Sequence, residues 1–157
     1  MFFVMEFLDA RILWDPALSE LPEDANQERG EIYDSMNKAL AALHSVNPED
    51  VGLADFGVPG NYFERQVSRW SKQYRLDNMA FSHNSADVLG ILDWELSTLG
   101  HPLADLAYQC MQWRLPNAGS FRGLAGVDRA AIGLPTEEDY VAKYCERRNI
   151  GSINNWS

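Results

Sequence analysis

The stretch "KQYRLDNMAFSHNSADVLGILDWELSTLGHPLADLAY", from Lys72 to Tyr108, decides the fold. Inside it, two apolar runs, Asn78–Ser82 and Val88–Trp94, flank the polar pentapeptide His83–Asp87. Short apolar runs on either side of a small polar segment are typical of a β-hairpin with a five-residue turn. The sequence therefore predicts a pair of antiparallel strands in this region.

Polar side chains stand at the open end of the predicted hairpin. A hairpin places the start of its first strand beside the end of its second, so we expect Asn78 and Asp93 to be neighbours in space. Asp93 and Glu95 are two positions apart on an extended chain and should point to the same side. An amide oxygen beside a carboxylate suits Mg²⁺, which takes one or two protein ligands together with waters and phosphate oxygens. Either residue alone would be read as a turn or cap residue, and only the joint pattern indicates a metal site.

Apolar residues at helical spacing predict α-helices on both sides of the hairpin. One helix is predicted over 28–46, and an aromatic-faced helix over 63–73. Pro102 suits the first turn of a third helix. Thr136 begins a fourth helix, whose last turn is followed by Gly151 as its stop signal.

The predicted architecture is α+β. The apolar and aromatic segment Phe2–Leu8 predicts a buried strand at the start of the chain, followed by an irregular connection over 9–25 with two prolines. Residues 116–133 have the composition of a loop. The whole is mostly helical with a small antiparallel element.

Composition excludes several classes of protein. The 157 residues correspond to one domain, and the formal net charge of −10 disfavours binding to nucleic acid or to anionic lipid. ATP stays possible, because magnesium and backbone N–H groups supply local positive potential. No run approaches the ~20 apolar residues of a membrane span, and the chain start does not resemble a signal peptide. We expect a soluble, cytoplasmic protein in which Cys110 and Cys145 are buried, reduced thiols.

Two segments carry a family resemblance. The runs "YRLDNMAF" and "VLGILDWELSTLGHPLADLAY" closely resemble the aminoglycoside phosphotransferase and choline kinase-like family. They are most similar to the branch whose domains occur beside acyl-CoA dehydrogenases and act on hydroxyacyl-CoA. In that branch the catalytic loop reads H-G-D-x-R-x-D-N and the hairpin ends in L-D-W-E. The opening "FFVMEFLDA" resembles the hinge strand, so the resemblance covers nearly the whole chain.

The resemblance implies a fold, an activity and site residues. It implies the mostly helical C-terminal lobe of a protein kinase-like fold, with a hinge strand and a small hairpin. The implied activity is transfer of the γ-phosphate of ATP, with Mg²⁺, to the hydroxyl of a small molecule such as a CoA thioester.

Asp93 then resembles the metal-binding aspartate and Asn78 the catalytic-loop asparagine at the other metal position. Asp105 resembles an aspartate that braces the catalytic loop, and Glu95 stands beside the metal ligands. The hinge backbone that would face adenine belongs to Glu6, Phe7 and Leu8.

The resemblance breaks in front of Asn78. Aligned on the family's loop, the catalytic base position holds Gln73 and the histidine position Ser71. Glutamine cannot accept a proton as a carboxylate does. The preceding "RWSKQYR" resembles the end of an earlier family helix, so the sequence predicts an internal deletion at Arg75/Leu76, where both segments share "YR".

Other parts of the family pattern have no counterpart in the sequence. Neither the Gly-rich phosphate loop nor the phosphate-gripping lysine is present, and later helices are not present either. We therefore expect a single incomplete kinase-like domain over 1–157 with little or no kinase activity. Its predicted parts are a hinge strand (1–10), a helical part (28–75), a catalytic-loop remnant with the metal-binding hairpin (76–95) and a second helical part (96–157).

Two further hypotheses stay open. The chain could be a non-catalytic module that binds a nucleotide or a protein partner, such as an acyl-CoA dehydrogenase domain. It could also be a metal-dependent hydrolase using Asp93, Glu95 and a histidine. Against the hydrolase, His83 and His101 lie in predicted loops without a metal-ligand spacing. His44 is predicted to be a capping charge at a helix C-terminus.

Overall fold

The computed structural model describes residues 6–53, 78–94, 100–117 and 122–156. Its elements in chain order are β1 (Arg11–Ile12), α1 (Asn26–His44), β2 (Met79–Phe81), β3 (Val88–Ile91), α2 (Pro102–Cys110), a 3₁₀ turn (Met111–Trp113) and α3 (Glu137–Arg147). The three strands form one antiparallel sheet in the order β1-β2-β3. The described part of the chain is thus α+β, as the sequence predicts.

The predicted hairpin is confirmed. Strands β2 and β3 pair with Met79 opposite Ile91, and the register shifts between Ala80 and Phe81 through a bulge. The backbone N–H of Ser82 donates to the carbonyl of Asp87 at 2.9 Å and closes the five-residue turn. All three side chains of β2 are buried, because this strand lies between the two others and carries only apolar residues.

Among the described residues, the first strand is β1, which follows the segment predicted to be a strand. Residues 6–8 form no strand, and residues 1–5 lie outside the described part. Instead Arg11 pairs with Phe81 in β1, inside the segment predicted to be irregular. The guanidinium of Arg11 explains this position, because it donates to Glu28 of α1 at 2.6 Å and to the carbonyl of Ser85 at 3.2 Å. The prediction of a buried strand is wrong at Phe7, which is 87% exposed.

Helix α1 is the longest described helix, with 19 residues. It begins and ends two residues earlier than predicted. At its C-terminus, the hydroxyl of Ser45 donates to the carbonyl of Ala41 at 2.8 Å. One face is buried along its whole length, and that face consists of Arg29, Ile32, Tyr33, Met36, Asn37, Leu40 and Ala41. The predicted helix over 63–73 lies outside the described residues.

Helix α2 begins at Pro102, as predicted. The sequence did not predict its cap, which is His101: the ring Nδ1 accepts from the backbone N–H of Leu103 at 3.2 Å. A proline in the first turn needs no hydrogen-bond acceptor, so the histidine satisfies the next exposed N–H.

Helix α3 has the predicted start and a different end. The hydroxyl of Thr136 accepts from the backbone N–H of Asp139 at 3.0 Å, which confirms the N-cap. The stop signal is not Gly151 but Asn149, which takes the left-handed conformation at φ 51°. The N–H of Ile150 reaches back to a last-turn carbonyl at 3.0 Å, as in a Schellman motif. Asparagine tolerates this conformation, and glycine was the more conspicuous signal in the sequence.

Three aromatic rings form the centre of the helical core. Tyr33, Trp113 and Tyr140 pack with ring centroids 5.0–6.2 Å apart. Each polar tip has a partner: the Tyr33 hydroxyl donates to the carbonyl of Pro16 at 2.7 Å, and the Trp113 indole N–H donates to the carbonyl of Pro135 at 3.0 Å. Burial raises the pKa of both tyrosines well above the usual range, so they remain neutral. The rings therefore join helices and loops without a buried charge.

Both cysteines are free and buried, as predicted. Burial raises the pKa of the Cys110 thiol to about 12, so this thiol is protonated at neutral pH. Among the described helices, none combines the length and the apolar composition that a bilayer crossing requires.

A polar clamp, formed by Asp34, Asn37 and Lys38 of α1 with Lys143 and Arg147 of α3, ties these two helices together. The buried amide of Asn37 donates to the carbonyl of Tyr140 and accepts from Arg147, both at 2.8 Å. The Asp34 carboxylate accepts from Arg147 at 2.6 Å and from the two lysines at 3.0–3.1 Å. Burial raises the pKa of Asp34, but these three cations outweigh it and hold that pKa well below its usual range.

Replacing Asn37 should destabilise the fold. In Asn37→Ala the carbonyl of Tyr140 and the guanidinium of Arg147 each lose a buried partner, so the free energy of unfolding should fall by about 2–3 kcal/mol. Urea unfolding followed by circular dichroism measures this. Lys38→Ala is the comparison on the same helix: Lys38 pairs with Asp34 within α1 and not with α3, its side chain is 64% exposed, and the change should stay under about 0.5 kcal/mol. Equal effects of the two changes would contradict the clamp.

The clamp should also be sensitive to acid. Because the pKa of folded Asp34 lies below the unfolded value of about 3.8, its contribution is fully present above that value and is lost as pH falls towards the folded pKa. The difference in unfolding free energy between the wild type and Asp34→Asn should therefore shrink below about pH 4. Urea titrations across this range measure it, and Arg147→Gln should weaken the effect. A difference that stays constant with pH would show that Asp34 is not stabilised as a carboxylate.

Candidate functional site

The open end of the hairpin brings together the segments that carry Asn78 and Asp93. Beyond the last strand pair, the N–H of Leu92 donates to the carbonyl of Asn78 at 2.8 Å. Asp93 follows directly and is exposed, whereas Asn78 is half-buried. The two predicted metal ligands thus stand on adjacent backbone segments despite their separation in sequence.

Asp93 has a left-handed backbone conformation, with φ at 66°. The prediction that Asp93 and Glu95 share one side of an extended strand is therefore wrong at Asp93, and Glu95 lies outside the described residues. Aspartate is among the few residues other than glycine that adopt this conformation with any frequency. Residues held there are concentrated at binding and active sites, where the surrounding structure offsets the strain.

The side chain of Trp94 fixes the exit from the hairpin. Its indole N–H donates to the carbonyl of Ile91 at 2.6 Å, while the ring remains 45% exposed. Through this hydrogen bond, the Trp94 side chain folds back onto the end of β3 directly after Asp93. The left-handed residue is therefore held between a ladder hydrogen bond and a side-chain hydrogen bond.

Of the three predicted hinge residues, Leu8 is packed against the hairpin. A Cβ atom added at Gly90 would lie 2.8 Å from the Cδ1 atom of Leu8, so the leucine occupies the space that a side chain in β3 would fill. Glu6 and Phe7 are exposed. The described end of the predicted hinge thus contacts β3 at Gly90 through Leu8, and the adenine-facing role of these residues stays a prediction.

The buried end of α1 meets Asp105. The His44 ring lies between Tyr144 of α3, with Nδ1 2.8 Å from its hydroxyl oxygen, and Asp105 of α2, with Nε2 3.3 Å from Oδ2. His44 is the last residue of α1 and the basic residue of its last turn, as predicted, but its side chain is only 7% exposed and contacts two side chains of other helices. Sequence reasoning missed this contact, because its partners lie 61 and 100 positions away.

The donor set at the hairpin end fits Mg²⁺ better than a zinc-type centre. A carboxylate and an amide oxygen are hard ligands, and Mg²⁺ needs few from the protein when phosphates supply the rest. Within the described ranges, no group of three or more His, Cys, Asp or Glu side chains could hold a metal ion. His83 lies 3.2 Å from Asp9, and His101 caps α2, so neither supports the hydrolase hypothesis.

The other predicted site features lie outside the described residues. These are the base position Gln73, Ser71 and the junction at Arg75/Leu76.

Sequence comparison identifies the family. A profile of the phosphotransferase enzyme family matches residues 1–78 and, separately, residues 73–140. The chain belongs to this family. The two matches overlap at 73–78, the region in which the sequence predicts the internal junction.

Similar proteins include members of the acyl-CoA dehydrogenase family. Acyl-CoA dehydrogenase family member 10 of Mus musculus is 36% identical over 192 aligned positions, covering 99% of the chain and 18% of the relative. Probable acyl-CoA dehydrogenase IBR3 of Arabidopsis thaliana is 35% identical, covering 92% and 23%. Acyl-CoA dehydrogenase family member 11 of Homo sapiens is 32% identical, covering 99% and 24%. The chain thus spans less than a quarter of each relative's length.

A solved structure is similar over the same range. The crystal structure of a protein from Ralstonia eutropha JMP134, titled "putative aminoglycoside phosphotransferase", has a TM-score of 0.85 and 39% identity, covering 95% of this chain and 55% of that chain.

The alignment with the mouse relative contains 192 positions although the chain has 157 residues, so that relative carries residues without a counterpart here. This agrees with an internal deletion.

The left-handed conformation of Asp93 leads to a stability test. Asp93→Gly and Asp93→Ala both remove the carboxylate, but only alanine keeps a Cβ that opposes positive φ. The glycine variant should therefore be more stable than the alanine variant by about 1 kcal/mol in urea unfolding. At Asp87, in the turn of the same hairpin and without positive φ, alanine should be at least as stable as glycine. If the glycine variant were more stable than the alanine variant at both positions, the left-handed conformation of Asp93 would be contradicted.

Proposed function

We propose that this chain is part of an ATP-dependent small-molecule phosphotransferase, and that it binds Mg-ATP at the open end of the hairpin while transferring phosphate poorly. Membership of the phosphotransferase family supports the reaction class. The observation that carries the site is the adjacency of the Asn78 and Asp93 segments, with Asp93 held in a left-handed conformation. In this proposal, the described elements belong to the C-terminal lobe of a kinase-like domain.

The proposed metal ligands are Asn78 and Asp93. When bound, Mg²⁺ neutralises charge on the β- and γ-phosphates. Asp93 would supply a carboxylate oxygen and Asn78 an amide oxygen, with Glu95 close to Asp93 in the chain. The backbone of Glu6, Phe7 and Leu8 would face the adenine ring, which the packing of Leu8 on Gly90 supports by holding this segment beside β3.

The weak step is proton transfer. In the family reaction, a substrate hydroxyl oxygen bonds to the γ-phosphorus, the bond to the ADP oxygen breaks, and the hydroxyl proton passes to a carboxylate base. The resemblance places Gln73 at that base position, and a neutral carboxamide does not take up the proton. Binding without efficient turnover follows, which also makes a nucleotide-binding module the second candidate function.

The proposed acceptor is the hydroxyl of a CoA thioester such as a hydroxyacyl-CoA. Support comes from relatives that are acyl-CoA dehydrogenase family members and align with nearly the whole chain. The same relatives support association with an acyl-CoA dehydrogenase domain. A cytoplasmic location is part of the proposal, in keeping with two free cysteines.

Calorimetric titration with Mg-ATP tests the site. The wild-type chain should bind Mg-ATP, and chelation of the magnesium should abolish binding. Asp93→Asn keeps the side-chain size and the tolerance of positive φ but removes the charge, so affinity should fall at least about tenfold. Asp87→Asn removes a carboxylate from the far end of the same hairpin and should leave affinity unchanged.

Two results would contradict the proposal. A folded wild-type chain that does not bind Mg-ATP would rule out the nucleotide site. Efficient ATP-dependent phosphorylation of a hydroxyacyl-CoA by the purified chain would disprove the impaired transfer step.

A further inference from the structure

A groove lies between α1 and α3, outside the candidate site described above. It has a volume of about 530 Å³, and residues 133–135, in the loop before α3, form its third wall. Binding sites for small molecules usually measure about 300–1,000 Å³. Its described lining residues belong neither to the hairpin nor to the predicted hinge. The groove is thus a separate place where a small molecule could bind.

The polar atoms on the floor of the groove are already paired. The buried lining residues, which form this floor, include Tyr33, Asn37, Leu134 and Tyr140. Both tyrosine hydroxyls donate to other parts of the core, that of Tyr140 to Oε1 of Gln109 at 2.5 Å. Asn37 is held by α3 in the polar clamp. A ligand therefore gains apolar contact from the floor, and its polar groups need partners at the rim.

The rim of the groove carries a negative charge on the α1 side. Glu31 is exposed there, one helical turn before Asp34. Its Oε1 accepts from the amide Nε2 of Gln27 at 2.7 Å. Because that amide is neutral, the charge of Glu31 is not matched by an ion pair within the described residues.

The α3 side of the rim is positive. Lys143 is 56% exposed, and its Nζ lies 3.1 Å from Oδ1 of Asp34. The same carboxylate also pairs with Lys38 and Arg147, so three cations share one negative charge. A net positive charge therefore remains beside Lys143. Since Glu31 and Asp34 are neighbours on one helix face, the two opposite rim charges lie about one helical turn apart.

We propose that this groove binds a free amino acid with an apolar side chain, in its zwitterionic form. The ammonium of the ligand pairs with Glu31, its carboxylate pairs with Lys143, and its side chain lies on the floor. A ligand with a single charge matches one side of the rim and faces a like charge on the other, whereas a zwitterion matches both. Hydrogen bonds between charged groups are also the stronger ones. Neither rim residue takes part in the proposed phosphate transfer.

Three related ligands test the charge pattern. L-Phenylalanine carries both charges, 2-phenylethylamine lacks the carboxylate, and 3-phenylpropionate lacks the ammonium. In NMR titrations of the full chain, phenylalanine should shift the backbone amide signals of Glu31 and Lys143 to saturation. Each analogue loses one hydrogen bond between charged groups and should bind at least about tenfold more weakly.

Two variants assign each ligand charge to its partner. Glu31→Gln keeps the size of the side chain but removes its charge, so phenylalanine should bind about tenfold more weakly and 3-phenylpropionate no more weakly. Lys143→Gln should weaken phenylalanine to a similar extent and 2-phenylethylamine not at all. Glu146→Gln is the control on α3, because Glu146 is exposed and does not line the groove, so the affinity should stay unchanged. If Lys143→Gln loses its fold in urea unfolding, the three ligands on the wild type still decide.

Any of three results would overturn the proposal. A wild-type chain that binds phenylalanine no more tightly than either analogue does not recognise both charges. An unchanged phenylalanine affinity in Glu31→Gln means that the ammonium pairs elsewhere. Signals that shift only outside α1 and α3 put the ligand at another site. Because these titrations contain no Mg-ATP, failure of the nucleotide site leaves their outcome unaffected.

Discussion

The buried face of α1 carries polar side chains, and each must find a partner before the helix can be buried. From the middle of the helix, the Asn37 amide donates a hydrogen bond to a backbone carbonyl of α3. The Tyr33 hydroxyl donates to a carbonyl in the loop before α1, and the His44 ring at the helix end contacts side chains of α2 and α3. Near its start, Glu28 receives Arg11 from β1. An unpaired buried polar group costs about 1–3 kcal/mol, so these contacts fix one arrangement of the neighbouring elements around α1.

Local signals made part of this fold predictable. The turn of the hairpin, the proline that starts α2 and the Thr136 cap of α3 depend on residues a few positions apart, and the structure confirms all three. The position of β1 and the stop of α3 at Asn149 were not predicted. The place of β1 depends on Glu28 and Ser85, far along the chain, and asparagine is a weaker stop signal than glycine.

The candidate site was predictable to a similar extent. Hairpin geometry sufficed to place Asn78 beside the segment of Asp93, because a strand pair converts sequence distance into a known spatial neighbour. It did not reveal the left-handed backbone of Asp93, which depends on how Trp94 turns back on Ile91. The contact between His44 and Asp105 joins the ends of two helices, and no local pattern in either helix encodes the other.

The small sheet also bears on how this chain behaves in a crowded solution. In the described part of the chain, β3 forms one edge of the sheet, and unpaired edges invite other chains to add a strand. Charged residues and irregular pairing discourage such addition. Strand β3 has an acid at each end, Asp87 and Asp93, and the bulge at Ala80 and Phe81 disturbs its register with β2. The aspartate that makes the hairpin end a candidate metal site is thus also one of the two acids that flank this edge strand.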